Sequence, residues 1–101
     1  MINKHQTEEN ASTLLSAEIE NPFGYGRVIR DKDGNFEKIT EQKDATESQQ
    51  KIKEVNSGVY VFNKSDLLFA LDNIQNNNAA NEYYLTDTTE ILKNKGKKIG
   101  V

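Results

Sequence analysis

Four places in this 101-residue sequence hold residue types that could do chemistry at a useful spacing. Gly24-Tyr25-Gly26-Arg27 is the densest glycine site, and glycines let backbone amides approach a ligand closely. Position 29 is Ile, so this is not G-x-G-x-x-G, and the residues alone favour a strand-entry turn over a ligand loop. Glu41 ends a predicted strand, with Lys43 and Asp44 behind it. An ionised carboxylate offers only acceptors and can take paired sugar hydroxyls, although a solvated surface Glu is the plainer reading. Asn56 lies in Val55-Asn56-Ser57-Gly58-Val59, a strand-like run where β-propensity disfavours Asn and Gly. A buried amide must be hydrogen-bonded, and position alone leaves backbone and ligand equal as its partners. Glu82-Tyr83-Tyr84-Leu85-Thr86-Asp87 joins a polar loop to a capped helix. There the tyrosines can close a core edge and Asp87 can cap, or an aromatic ring and a hydroxyl can line a sugar pocket.

Composition removes other chemistries. There is no Cys, which excludes a disulfide framework, an iron–sulfur cluster and thiolate zinc. A His-based metal site or a Ser–His triad would rest on His5 alone. With 16 acidic residues against 13 Lys or Arg the formal charge is −3, the opposite of a basic nucleic-acid face. No apolar run approaches the roughly 18 residues of a membrane span, and Met1 to Gln6 lacks a signal-peptide core. The expectation is a cytoplasmic protein with neither nucleic acid nor membrane as partner, in which the sequons at Asn10 and Asn63 are chance.

These residues need a scaffold. Leu, Ile, Val and Phe number 24 of 101, above the roughly 20% below which chains stay disordered. Twelve Asn make the surface polar. One domain is the most such a length supports. Residues 1–11 read as a frayed start or a helix remnant, and Thr13–Ile19 as a strand stopped at Asn21-Pro22. Tyr25–Arg30 and Phe36–Glu41 form a hairpin on the Asp33-Gly34 turn. Phe36 and Ile39 stand on opposite parities, which predicts a bulge or a two-sided environment. Asp44-Ala45-Thr46-Glu47 has capping-box spacing and predicts a helical turn to Gln50. Val55–Phe62 is apolar on both parities and predicts a central strand buried on both faces. Ser65 is placed to cap a helix carrying one stripe of Leu67, Leu68, Leu71 and Ile74. A polar loop at 76–81 precedes a second box, Asp87-Thr88-Thr89-Glu90. The last helix ends at Lys93, Lys95 and Gly96. The class is α/β, without the strand, Gly-rich loop and helix that open a doubly wound nucleotide-binding unit.

The order of these motifs carries a resemblance. Asn21-Pro22-Phe23-Gly24-Tyr25-Gly26-Arg27, the Asp33-Gly34 turn and Ile39-Thr40-Glu41-Gln42-Lys43-Asp44-Ala45-Thr46 come first. Ile52-Lys53-Glu54-Val55-Asn56-Ser57-Gly58, Asn76-Asn77-Asn78-Ala79 and Glu82-Tyr83-Tyr84-Leu85-Thr86-Asp87 follow. Together they resemble the uridyltransferase domain of the bacterial N-acetylglucosamine-1-phosphate uridyltransferases, over about residues 12–101. The resemblance implies a partial Rossmann-like sugar nucleotidyltransferase sheet: strand, β-hairpin, strand and flanking helices. It also implies a chemistry. A sugar 1-phosphate oxygen attacks the α-phosphorus of UTP, pyrophosphate leaves, and UDP-N-acetylglucosamine, a peptidoglycan precursor, is formed. Mg²⁺ neutralises phosphate charge during the in-line displacement. The positions matching the family's sugar-binding residues are Gly26, Glu41, Asn56, Tyr84 and Thr86. Gly26 would give backbone where a side chain would meet the sugar. Glu41 would accept from its hydroxyls and Asn56 would use both amide ends, with Tyr84 and Thr86 lining the pocket.

The chain also departs from the family. Asn81 stands where Gly is common, and Phe23 where a smaller residue is common. The family's Gly-rich loop with its catalytic Arg and Lys, and its uracil-reading region, match no segment here. Nor do its Mg²⁺-binding aspartate and asparagine, or its left-handed β-helix acetyltransferase. The expectation is one partial domain, residues 1–101, forming the sugar-binding half of a nucleotidyltransferase domain without its N-terminal nucleotide-binding half. It would hold no Mg²⁺ and no catalytic residue alone, be inactive alone, and bind UDP-N-acetylglucosamine or N-acetylglucosamine 1-phosphate weakly if at all. An unpaired strand edge would make it a homodimer. The alternatives are a non-catalytic binding module derived from the fold, or a transferase for another sugar 1-phosphate.

Overall fold

The computed structural model describes residues 1–76, 79 and 82–101; most of the polar loop expected at 76–81, Asn81 included, lies outside the described residues. Two long strands form the spine. β1 (Ser12–Glu18) pairs antiparallel with β4 (Glu54–Phe62), Leu14 facing Tyr60 and Ser16 facing Asn56. Only Leu15 separates the two positions on β1, while Ser57, Gly58 and Val59 separate them on β4. β4 therefore bulges, and Gly58 turns it at φ +87°, a conformation that costs glycine little. The bulge satisfies its own polar groups: Ser57 Oγ donates to the Leu15 carbonyl (2.7 Å) and the Gly58 N–H to Asn56 Oδ1 (3.0 Å). β4 is central, as expected, but is not buried on both faces. Ser57 to Val59 are exposed, because the bulge lifts them off the pleat.

β2 (Arg27–Arg30) and β3 (Phe36–Thr40) form the expected hairpin. Its turn holds Gly34 at φ +85°, and Asp31 Oδ1 accepts from the N–H groups of Asp33 (2.9 Å) and Asn35 (3.0 Å). Register shifts so that Arg30 faces Phe36 while Ile29 faces Lys38. Glu37 is thus the extra residue of a bulge, which brings Phe36 and Ile39 into one core. The sheet order is β3-β2-β4-β1-β5, closed by the unexpected two-residue β5 (Ile99–Gly100) parallel to β1.

Among the described residues four α-helices flank the sheet. α1 (Ile2–Thr7) decides between the two readings of the N-terminus, because it is helical and buries His5. His5 Nδ1 meets Thr13 Oγ1 at 2.8 Å and Nε2 meets Asn63 Oδ1 at 2.9 Å, so this imidazole holds three segments together. α2 (Glu47–Gln50) has a capping box, but on Thr46 and Gln49 instead of Asp44 and Glu47. Asp44 lies in a 3₁₀ turn, its carboxylate accepting from the Ala79 N–H at 2.7 Å.

α3 (Lys64–Leu71) starts after Asn63, not Ser65. It buries Ala70 while Leu68 and Leu71 stay exposed, and Ile74 falls beyond its end, so the expected stripe is not a seated face. α4 (Asp87–Asn94) begins with Asp87 inside its first turn and Thr86 as its N-cap. The second capping box does not form; the Thr88 and Thr89 hydroxyls donate back to the carbonyls of Leu85 (2.6 Å) and Thr86 (2.7 Å). Gly96 stops the helix region at φ +88°. One core sets Leu14, Val28, Phe36 and Ile39 against Tyr60, Ile99 and Val101; a second joins Ala11, Ala70 and Leu92. Among the described residues no helix is long and apolar enough to cross a membrane.

Candidate functional site

Four of the five candidate sugar-binding residues meet where β2, β3, β4 and the start of α4 converge. Arg27 pairs with Thr40 across the hairpin, which sets Gly26 beside Glu41 one step further on. A Cβ on Gly26 would lie 3.0 Å from Ile39 Cγ2 and 3.3 Å from each Glu41 carboxylate oxygen. Close side chains, not backbone conformation, favour glycine here, since Gly26 is not among the positive-φ positions. The Gly26 carbonyl accepts the Asn56 backbone N–H at 2.9 Å, tying β4 to the hairpin. Glu41 Oε1 accepts the Thr86 hydroxyl at 2.9 Å. Thr86 is 8% exposed, so it holds Glu41 from beneath.

Asn56 is half-buried instead of fully buried, because it borders the β4 bulge. Its side chain is engaged at both ends: Oδ1 accepts from the Gly58 N–H (3.0 Å) and Nδ2 donates to the Tyr60 hydroxyl (2.9 Å). Tyr60 reads in the sequence as one apolar position of a strand, with no local signal to mark it for the site. Burial, and the Glu41 charge to a lesser degree, push its hydroxyl up to about 12 against the lowering effect of the Asn56 hydrogen bond, so it is a neutral phenol at physiological pH.

Tyr84 stands on the other side of Glu41. Burial first, then the charges of Asp44, Glu41 and Glu82, with a hydrogen bond to Asp44, raise its hydroxyl above the ordinary value. A cleft of about 470 Å³ runs from the end of β3 to α4, with Ile39, Glu41, Asp44, Tyr84, Asp87 and Glu90 among its walls. A second cleft of about 400 Å³ is bounded by Phe23, Gly24, Gln42 and Lys43. Glu41 and Tyr84 line both. Gly26 and Thr86 line neither and support Glu41; Asn56, half-buried on β4 beside Gly26, lies outside these two clefts with one Nδ2 hydrogen uncommitted among the described residues.

The larger cleft is acidic. Burial first, and then Glu90, Glu41 and Asp44, raise the Asp87 carboxyl above its ordinary value. With Lys38 also on its wall, such a lining offers its carboxylates to the hydroxyl donors of a neutral sugar ring. Among the described residues no three His, Asp or Glu side chains converge closely enough to hold a metal ion.

A family model for nucleotidyl transferases matches residues 1–100. The bifunctional protein GlmU of Acetivibrio thermocellus is 54% identical over 99 residues, which are 98% of this chain and 22% of the relative. The bifunctional protein GlmU of Streptococcus thermophilus is 50% identical over 100 residues, or 99% of this chain and 22% of the relative. That of Lactobacillus delbrueckii is 52% identical over 96 residues, or 95% and 21%. The chain spans about a fifth of the length of these curated relatives. Its five-stranded α/β sheet is consistent with part of such a fold, and the chain belongs to the nucleotidyl transferase family.

Proposed function

We propose that this chain is the sugar-binding side of a UDP-N-acetylglucosamine pyrophosphorylase, in which uridylyl transfer from UTP to N-acetylglucosamine 1-phosphate releases pyrophosphate. The observation that carries the reading is the Gly26–Glu41–Thr86 contact set beside Asn56. Three separate segments converge to present one carboxylate, whose Oε2 has no hydrogen-bond partner among the described residues. In this reading Glu41 takes sugar hydroxyls, Asn56 adds its second Nδ2 hydrogen, and the Tyr84 ring flanks the sugar. Thr86 and Gly26 act through Glu41. The acidic cleft also supports a sugar occupant. Mg²⁺, where the whole protein uses it, neutralises phosphate charge during transfer; the groups that would hold it lie outside this set of residues.

The same reading makes the chain inactive alone and cytoplasmic. It also makes it a homodimer through the open β3 edge or the exposed apolar patch of Leu68, Phe69 and Leu71 on α3. The test is an amide correlation spectrum of the labelled chain, titrated in turn with UDP-N-acetylglucosamine, N-acetylglucosamine 1-phosphate and glucose 1-phosphate. Saturable shifts at Gly26, Glu41, Asn56 and Thr86 with the N-acetylated ligands are expected. Equal shifts with glucose 1-phosphate would make it a transferase for another sugar, and shifts confined elsewhere would sink the site. A pyrophosphate-release assay with UTP, Mg²⁺ and sugar phosphate is expected to stay at background; turnover that follows the purified chain would overturn the half-site reading.

A further inference from the structure

We propose that Tyr60 is a positioning residue of the sugar side, holding the Asn56 side-chain amide in the single orientation that leaves one Nδ2 hydrogen for the ligand. The proposal rests on the sugar-binding reading above and adds a residue to it. The Gly58 N–H can only donate, so it fixes which end of the Asn56 amide is oxygen (Oδ1, 3.0 Å). That bond sets the sense of the amide but leaves its plane free to swing. The second anchor, Nδ2 to the Tyr60 hydroxyl at 2.9 Å, removes the swing.

Tyr60 is itself held. Its ring stacks on Phe62 at 5.3 Å between centroids, with 25° between the planes, and packs on the cluster of Leu14, Val28, Phe36 and Ile39. The Asn56 backbone is fixed separately, through its N–H to the Gly26 carbonyl at 2.9 Å. Removing one oxygen from Tyr60 thus changes the amide anchor and leaves strand pairing and ring packing in place.

The experiment compares the wild-type chain with Tyr60→Phe and Phe62→Leu, with Asn56 side-chain NH₂ signals read first without ligand and then during titration with N-acetylglucosamine 1-phosphate. In Y60F the Asn56 side-chain signals are expected to move to the positions of a solvent-averaged Asn, while the backbone spectrum stays dispersed. Binding should weaken about three- to tenfold, the loss of one neutral hydrogen bond. F62L should lower stability but leave the Asn56 side-chain signals and the affinity near wild type. Unmoved Asn56 signals in Y60F would overturn the proposal whatever the ligand does. Equal movement in F62L would also overturn it, by making the effect one of packing. Moved signals with an unchanged affinity would overturn the link to binding. Moved signals in a chain whose wild type binds no sugar phosphate would uphold the positioning role and overturn the sugar-binding reading instead.

Discussion

Gly26→Ala isolates the contact on which the site depends. The added methyl would lie 3.0 Å from Ile39 Cγ2 and 3.3 Å from both Glu41 oxygens. Ile39 is 4% exposed and wedged among Leu14, Val28 and Phe36, so it yields little. Glu41 is half-exposed and can move, but moving it stretches the 2.9 Å bond from Thr86. Overpacking of this kind costs about 1–3 kcal/mol, and a hydrogen bond to a partly solvated charge adds about 1 kcal/mol. A total of about 2–4 kcal/mol corresponds to a melting temperature lower by roughly 10–30 °C in a domain of this size. Thermal melts followed by circular dichroism measure it, and the Thr86 amide signal reports whether Glu41 has shifted. Gly24 is the control. It sits at φ +90°, and a Cβ placed there would meet nothing within 4 Å, so its substitution costs backbone strain alone. Asn tolerates that conformation better than other side chains do, so Gly24→Asn should melt above Gly24→Ala. At position 26 the order should reverse, because Asn is larger. A Gly26→Ala chain that melts within about 2 °C of wild type, a fraction of 1 kcal/mol, with Thr86 unmoved would refute the steric argument.

Three further outcomes follow from the same contacts. Glu54 accepts from Arg30 Nε (2.7 Å) and Nη2 (2.9 Å) and from Ser16 Oγ (2.7 Å). The Arg30 hydrogen bond, ahead of the opposing burial, holds its carboxyl below the ordinary 4.5. Its folded value being the lower one, its contribution is present above pH 4.5 and fades as pH falls through the folded value; urea melts of Glu54→Gln should therefore differ from wild type at pH 7 and converge with it in acid. Arg27 is 1% exposed, donating to the Tyr25 carbonyl and, at 3.1 Å, to the Gln50 carbonyl. Lys cannot span both yet keeps the buried charge, so Arg27→Lys should melt below Arg27→Met, and the opposite order would refute that. Light scattering at high concentration should give twice the chain mass, and a Leu68→Lys, Leu71→Lys double variant should return it to one if the α3 patch carries the association.

The sequence disclosed more of the strands than of the helix ends. The Phe36 and Ile39 parities left a bulge or a two-sided environment, and the structure has the bulge, at Glu37, because period-two patterning breaks wherever one residue is inserted. Helix starts misled because several residues could serve as cap. Asp44-x-x-Glu47 and Thr46-x-x-Gln49 both fit a capping box, and Asp44 is drawn away by the Ala79 amide. At α3 the Asn63 side chain is engaged by His5 and by the Asn10 carbonyl, contacts across more than 50 residues that no local pattern contains. Patterning predicts β4 buried on both faces because Val55, Val59 and Val61 on one parity are answered by Tyr60 and Phe62 on the other. Gly58 at φ +87° is what throws Val59 outward, and a glycine in sequence does not state its φ.

The candidate site shows the same division. The family resemblance, more than residue type, singled out Gly26, Glu41, Asn56, Tyr84 and Thr86 for a sugar, and neither says which of their hydrogen-bonding positions the protein itself occupies. Glu41 has one oxygen committed to Thr86, Asn56 has its oxygen and one hydrogen committed to Gly58 and Tyr60, and the Thr86 hydroxyl proton is committed to Glu41. Each commitment removes a partner a ligand could have used and in exchange fixes the direction of those that remain. A pyranose presents adjacent hydroxyls at set angles, and recognition of such a group is limited by how little its partners must reorganise. A carboxylate free on both sides would contact a sugar more often but in many poses. One steadied by Thr86 at 2.9 Å, with little room for a methyl on Gly26 beside it, would contact it in few. In the sugar-binding reading proposed above, Gly26 and Thr86 would set selectivity through Glu41, and substitutions at either should change which sugar is accepted more than whether any is.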